Sequence, residues 1–211
     1  MSNFRMETSV LGPVSTNCYF IYNEESREAI IVDPADNSIF IINKCQEMDI
    51  NPVAILLTHG HFDHITAAED VRKAFGIPIY AGEAEKDLLH GSNGNLSRLA
   101  VKPVSLTADI WLEDADVLDL AGFSIEVITT PGHTVGSVCY YIKEEDVLMS
   151  GDTLFLESVG RTDFPTSSTS AIIHSIKEKL FTLPEETDVY PGHDDKTTIA
   201  HEKKFNPVAS L

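Results

Sequence analysis

The sequence predicts an α/β fold made of two strand-and-helix halves, and three observations carry that prediction. The apolar run Pro52-Val-Ala-Ile-Leu-Leu57, between a proline and a loop glycine, has the continuous hydrophobicity of a strand buried on both faces. A helix-like run from Ile65 to Phe75 follows it. Strand and helix signals alternate again in the second half, as a weak internal duplication would require. With 211 residues, 43% of them hydrophobic, the chain can bury a substantial core and fits one domain, residues 1–211, better than two.

Taken in order, Cys18 to Tyr22 and Glu28 to Asp33 are rich in β-branched and aromatic residues and flank the charged turn Asn23 to Arg27, which predicts a hairpin. Asp33-Pro34 breaks the second strand. Ile41, Cys45 and Met48 then recur at helical spacing behind a cap at Asn37 or Ser38. Gly76 to Ala81 reads as a strand and Glu83 to Leu89 as a short helix. From His90 to Ser105 the chain is polar and glycine-rich, a long loop at one edge of the fold. Strands return at Asp119-Leu120 and Phe123 to Thr129, followed by a hairpin of Val138 to Ile142 with Val147 to Ser150. Ser170 to Leu183 carries Ile172, Ile173, Ile176 and Leu180 on an amphipathic helix. A short strand at Asp188 to Tyr190 precedes a final helix from Thr197 to Phe205, stopped by Asn206-Pro207.

Charge and cysteine content narrow the function classes. Fifteen basic and 33 acidic side chains give a net charge of −18, a field that repels polyphosphate and argues against nucleic-acid binding. Cys18, Cys45 and Cys139 form no close pair and suit reduced, buried thiols of a cytoplasmic protein. No apolar run approaches the ~20 residues that span a bilayer, so no membrane partner is expected.

The chemistry is concentrated at strand ends. Thr58-His59-Gly60-His61-Phe62-Asp63-His64 places four potential metal ligands directly after the apolar strand, at its carboxyl end, where open α/β sheets carry their sites. Imidazoles with a carboxylate and no cysteine suit zinc, iron, manganese or cobalt in an open site rather than a closed structural one. Thr130-Pro131-Gly132-His133 holds another histidine at a strand end, Gly151-Asp152 a carboxylate able to bridge two cations, and Pro191-Gly192-His193 a last histidine. Five of the eight histidines and two aspartates thus lie at four separate strand ends, which no structural need explains. Asp33 either orients one of these histidines or is a turn carboxylate.

These motifs, with Gly160-Arg161-Thr162-Asp163, resemble those of the metallo-β-lactamase superfamily, in particular its glyoxalase II (hydroxyacylglutathione hydrolase) branch in short bacterial form. The resemblance implies a four-layer αββα sandwich with metals at one edge of two sheets. It implies two divalent metal ions, zinc first, with iron or manganese as alternatives. His59, His61 and His133 would hold one ion, Asp63, His64 and His193 the other, and Asp152 would bridge them. The implied reaction is cleavage of a thioester, hydroxyacylglutathione or a similar small acyl-thiol, by a metal-bridging hydroxide, with Asp63 and Asp152 as its catalytic carboxylates.

Two departures bear on the substrate. The helical domain that helps long glyoxalase II enzymes bind glutathione is expected to be reduced to one C-terminal helix, about 196–207. A Lys/Tyr pair of those enzymes has only Arg161 in the corresponding segment. Candidate contacts for an anionic substrate are therefore Arg161, which could pair with Asp163 instead, and Lys196, Lys203 and Lys204, for which a solvated face is the slightly favoured reading. Two other activities share the fold. One is a persulfide dioxygenase with a single Fe(II) on His59, His133 and Asp152, and the other is a lactonase or other ester hydrolase.

Overall fold

The computed structural model of the chain describes residues 2–99 and 102–211. Strands β1 (Phe4–Leu11), β2 (Thr16–Asn23), β3 (Glu28–Val32), β4 (Asn51–Leu56), β5 (Ile79–Gly82) and β6 (Ile110–Leu112) form one six-stranded sheet in that order. The second sheet holds β7 (Val117–Leu120), β8 (Phe123–Thr129), β9 (Val138–Ile142), β10 (Val147–Gly151), β13 (Asp188–Pro191) and β14 (Thr197–Thr198), in the spatial order β14-β13-β10-β9-β8-β7. A small hairpin, β11 (Leu154–Phe155) with β12 (Ser158–Val159), stands apart from both.

The two sheets share a plan. In each, an antiparallel meander gives way to a parallel neighbour reached through a helix. Helix α1 (Ser38–Glu47) links β3 to parallel β4, and α5 (Thr169–Glu178) links β10 to parallel β13. Alternation along each strand then fixes four layers. On β2, Tyr19 and Ile21 face the second sheet and pack with Ile125, Val127, Tyr140 and Met149. Cys18 and Phe20 face outward and pack with Ile41 and Cys45 of α1 and Val71 of α3 (Ala68–Phe75). Across the sandwich, Cys139, Tyr141, Leu148 and Val189 turn outward onto Ile172 and Ile176 of α5 and Ile199 of α6 (Ile199–Phe205). Central strands buried on both faces need near-continuous apolar runs, which Val138–Ile142 and Val147–Met149 supply. Each such side chain contributes roughly 1.5–3 kcal/mol of transfer free energy.

Several local expectations need correction. The run from Ile65 to Phe75 is two helices, α2 (Phe62–Ile65) and α3, not one. Thr66 turns its hydroxyl back onto the Phe62 carbonyl at 2.6 Å, and the Ala67 amide donates to Pro34 at 3.0 Å, leaving the helical ladder. The final helix starts at Ile199 rather than Thr197. Thr197 and Thr198 pair with β13 as β14, and the Thr198 hydroxyl accepts from the His201 amide as the helix cap. β1 and β6 carry too little burial to show in the sequence; β1 is an edge strand with alternating half-buried and exposed residues. The loop expected over His90 to Ser105 leaves α4 (Lys86–His90), and two of its residues, 100 and 101, lie outside the described ones. Its Asn95 carbonyl accepts from the Phe62 amide at 2.9 Å, so the loop sits against the histidine motif. Among the described residues no helix is long and apolar enough to cross a membrane.

Candidate metal centre

The strand ends β4, β8, β10 and β13 converge at one edge of the sandwich and bring all seven predicted ligands together. Three overlapping groups of ligand atoms lie within 4.8 Å of one another: His59, His61 and His133; His59, His64 and Asp152; and Asp63, His64 and His193. Asp152 stands between them. Its Oδ1 is 3.4 Å from His64 Nε2, while its Oδ2 is 3.4 Å from His133 Nε2 and 3.6 Å from His193 Nε2. Asp63 Oδ2 lies 3.2 Å from His193 Nε2 and accepts from the Thr16 hydroxyl at 3.2 Å.

Four of the five imidazoles are oriented from behind. Asp33 is buried, and its Oδ2 accepts both His64 Nδ1–H at 2.9 Å and the Thr58 hydroxyl at 2.7 Å, while its Oδ1 accepts the Thr58 amide. It is therefore an orienting carboxylate, not a bare turn residue. Because Thr58 gives its only hydroxyl proton to Asp33, its oxygen is left to accept from His59 Nδ1 at 3.2 Å. His133 Nδ1 donates to the Arg161 carbonyl at 2.8 Å, and His193 Nδ1 lies 3.4 Å from the Ser15 carbonyl. Nε2 of these four rings then faces the centre. His61 is turned the other way, with Nδ1 2.9 Å from His133 Nε2.

Glycine is required where backbone passes close to this centre. A Cβ on Gly192 would lie 2.2 Å from Asp152 Oδ1, and one on Gly151, which has φ +49°, would lie 2.4 Å from the Thr58 hydroxyl. Glu85, which no sequence signal marked, is fully buried. Its two oxygens accept the Gly60 and Gly136 amides at 2.9 Å each, tying the loop of His59 and His61 to the loop that follows His133.

The donor set fits a cation. Nε2 of His59 and His64 and Oδ1 of Asp152, all facing the centre, are buried without hydrogen-bond partners, at about 1–3 kcal/mol for each such group. Burial, with the neighbouring rings adding to it, holds the His59 pKa well below its ordinary value and pushes His61 down to about 3, so both present lone pairs. His64 goes the other way. Burial opposes its charge, but Asp152, Asp63 and Asp33 together outweigh burial and raise it to about 10. Three carboxylates around one ring are thus short of positive charge, which divalent ions on these atoms would supply.

A cleft of about 390 Å³ opens over the centre. Its wall carries Val14, Phe62, Leu96, Phe155, Val159 and Phe164, with Ser158, Asp194 and Arg161. Arg161 reaches the cleft, but its Nε and Nη2 donate to Asp163 at 2.9 and 2.7 Å, and its guanidinium lies 4.1 Å over the Phe164 ring. The three candidate lysines do not reach it. Lys196, ahead of β14, pairs with Asp188 at 3.1 Å. Lys203 lies 3.9 Å from Glu185 and Lys204 stacks over Phe205, because α6 packs its apolar face beside α5 and turns its lysines to the outer surface.

Comparison with known proteins places this geometry among relatives. A family model described as the metallo-β-lactamase superfamily matches residues 11–193. The chain is 38% identical over 199 residues to the probable metallo-hydrolase YqgX of Bacillus subtilis (93% of each chain). It is 35% identical over 194 residues to the hydroxyacylglutathione hydrolase GloC of Haemophilus influenzae (90% of this chain, 91% of that one). Among solved structures, the BLEG-1 B3 metallo-β-lactamase superposes with a TM-score of 0.92 at 40% identity, covering 98% of this chain and 100% of that one. The protein TTHA1623, in a di-iron-bound form, superposes with a TM-score of 0.85 at 34% identity, covering 95% and 98%.

Proposed function

The chain belongs to the metallo-β-lactamase superfamily, and from that premise we propose that it is a binuclear metal-dependent hydrolase that cleaves a thioester of a small acyl-thiol. The observation that carries this reading is the pair of donor groups joined through Asp152, with buried unpaired nitrogens in both. His59, His61 and His133 would hold one ion and Asp63, His64 and His193 the other. Zinc suits the donors, and iron or manganese does too. When bound, two such ions acidify a water and stabilise charge on the attacking and leaving atoms.

The chain's own residues do the rest. Asp63 is held well below the usual carboxylate range: burial opposes this, but His64 and His193 outweigh it, so its oxygens accept rather than donate. Fixed by the Thr16 hydroxyl, Asp63 Oδ2 can take a hydrogen bond from an attacking water. Asp33 and Thr58 keep the His64 and His59 rings from turning as charge develops. Phe62, Phe155 and Phe164 exclude water around the acyl group. Outside the donor set, the described residues lining the cleft include no histidine, lysine or tyrosine to protonate a leaving group. A thiol, with an ordinary pKa near 8.5, leaves as thiolate without such an acid, whereas an amine does not. That absence favours a thioester, and the likeness to a hydroxyacylglutathione hydrolase points the same way.

The test is metal analysis coupled to a panel of thioesters, lactones and persulfides. We expect close to two ions per chain and thioester hydrolysis that follows metal content. Saturation at one iron, with oxygen consumed on a persulfide, would overturn this in favour of the dioxygenase. Lactone hydrolysis without thioester hydrolysis would reassign the substrate to an ester.

A further inference from the structure

Resting on the thioester reading above, we propose that the cleft selects a thioester whose carrier thiol is uncharged and apolar, and that Asp163 sets this preference by neutralising Arg161. Among the described residues that line the cleft, Arg161 is the one cation outside the ligand set. One edge of its fork is already taken, which leaves Nη1 open but balances its charge. Its planar fork already makes two parallel hydrogen bonds to Asp163, the geometry in which guanidinium and carboxylate pair best. A substrate carboxylate that took Asp163's place would gain only the difference between two similar ion pairs, which is close to nothing. The guanidinium also lies 4.1 Å over the Phe164 ring, and that ring meets His61 edge-on at 5.5 Å, so Arg161 would lose this contact on turning towards another anion.

The remaining charge on the wall is negative. Asp194 stands exposed beside His193 and brings a carboxylate to the rim. Lys196, Lys203 and Lys204, which would have offset it, are committed to Asp188, Glu185 and Phe205 on other surfaces. Behind the rim stands a net charge of −18. Against this, the wall supplies apolar side chains from five separate segments, Phe62 of α2 among them. Val14 comes from the β1–β2 turn, Leu96 from the loop after α4, Phe155 and Val159 from the β11–β12 hairpin, and Phe164 from the segment after Arg161. A carrier with several carboxylates would leave them unpaired against these surfaces, whereas an uncharged one buries apolar area at roughly 25 cal/mol per Å².

The experiment compares one acyl group on two carriers, an N-acetylcysteamine thioester, which is neutral, and a glutathione thioester, which is anionic, with zinc-loaded protein. We expect kcat/KM about tenfold higher for the neutral carrier. We also expect the glutathione thioester to gain rate as ionic strength rises while the neutral one stays level, because salt screens repulsion but not apolar contact. Asp163→Asn should shift the ratio several-fold towards glutathione by freeing Arg161, and Asp163→Glu should restore it. A preference for the glutathione thioester in the unmodified protein, a flat salt response, or a ratio unmoved by Asp163→Asn overturns the inference while leaving the thioesterase reading in place. Hydrolysis of neither thioester by protein holding two zinc ions overturns that reading, and the inference with it.

Discussion

At the floor of the cleft His59, His61, His64 and His133 are buried, and Nδ1 of each meets a partner on the protein, whereas at the wall Arg161 is 65% exposed and its guanidinium holds Asp163, itself 66% exposed, and the Phe164 ring. The floor is a place where electrostatics is strong. Little water screens its carboxylates, and burial holds down His59, His61 and His133 while three acids drive up His64. The wall is a place where electrostatics is weak, since an exposed ion pair contributes about 0–1 kcal/mol. On the reading proposed above, metal retention would belong to the floor, and discrimination among substrates to the wall, through apolar contact and the disposition of a single guanidinium. The two regions touch at Phe164, whose ring meets His61 edge-on at 5.5 Å, and at Arg161. Arg161 turns its side chain to the wall while its carbonyl receives His133 Nδ1–H, so its backbone serves the floor.

Three substitutions grade this contrast. Asp152→Ala strikes the carboxylate that faces both donor groups. It should lower thioester hydrolysis by about a thousandfold or more and reduce bound metal well below two ions, as read by activity and metal analysis; full metal retention would remove Asp152 from its bridging place. Asp33→Asn leaves every presumed ligand in position but withdraws the charge behind His64. Loss of an orienting partner of this kind typically costs 10- to 100-fold in metal affinity or activity, so titration with a competing chelator should show the weaker site emptying first. An unchanged affinity would mean that Thr58 alone suffices to hold the rings. Phe164→Ala, on the wall, should leave metal content intact and raise KM by about tenfold or less, the effect of about 1 kcal/mol of lost apolar contact. Metal loss in that variant would erase the distinction between the two regions.

Much of the floor was legible in the sequence because its residues are paired with backbone events. Each ligand follows a strand, and Pro-Gly or a glycine marks the turn, so residue type and local structure agree at His59, His133, Asp152 and His193. The alternation of strands and helices likewise announced the layers, since a strand buried on both faces must be near-continuously apolar. What the sequence alone determined is therefore which side chains stand at strand ends and what chemistry they share.

The tertiary structure decided everything that depends on two distant segments meeting. Asp33 could be assigned to His64 only once β3 and β4 lay parallel, and Glu85 gave no sign because its partners are backbone amides at Gly60 and Gly136, which no residue pattern encodes. The lysines show the reverse. Their sequence position near His193 suggested a substrate site, but α6 buries Ile199 and Glu202 and turns Lys203 and Lys204 away from the cleft. Arg161 was open between substrate and Asp163 for the same reason: a two-residue separation permits the pair, but only the folded loop, with Phe164 beneath the guanidinium, fixes it. Side-chain periodicity and turn chemistry are local and can be read from neighbours in the chain, while hydrogen bonds to backbone and contacts across loops are set by the packing of the whole.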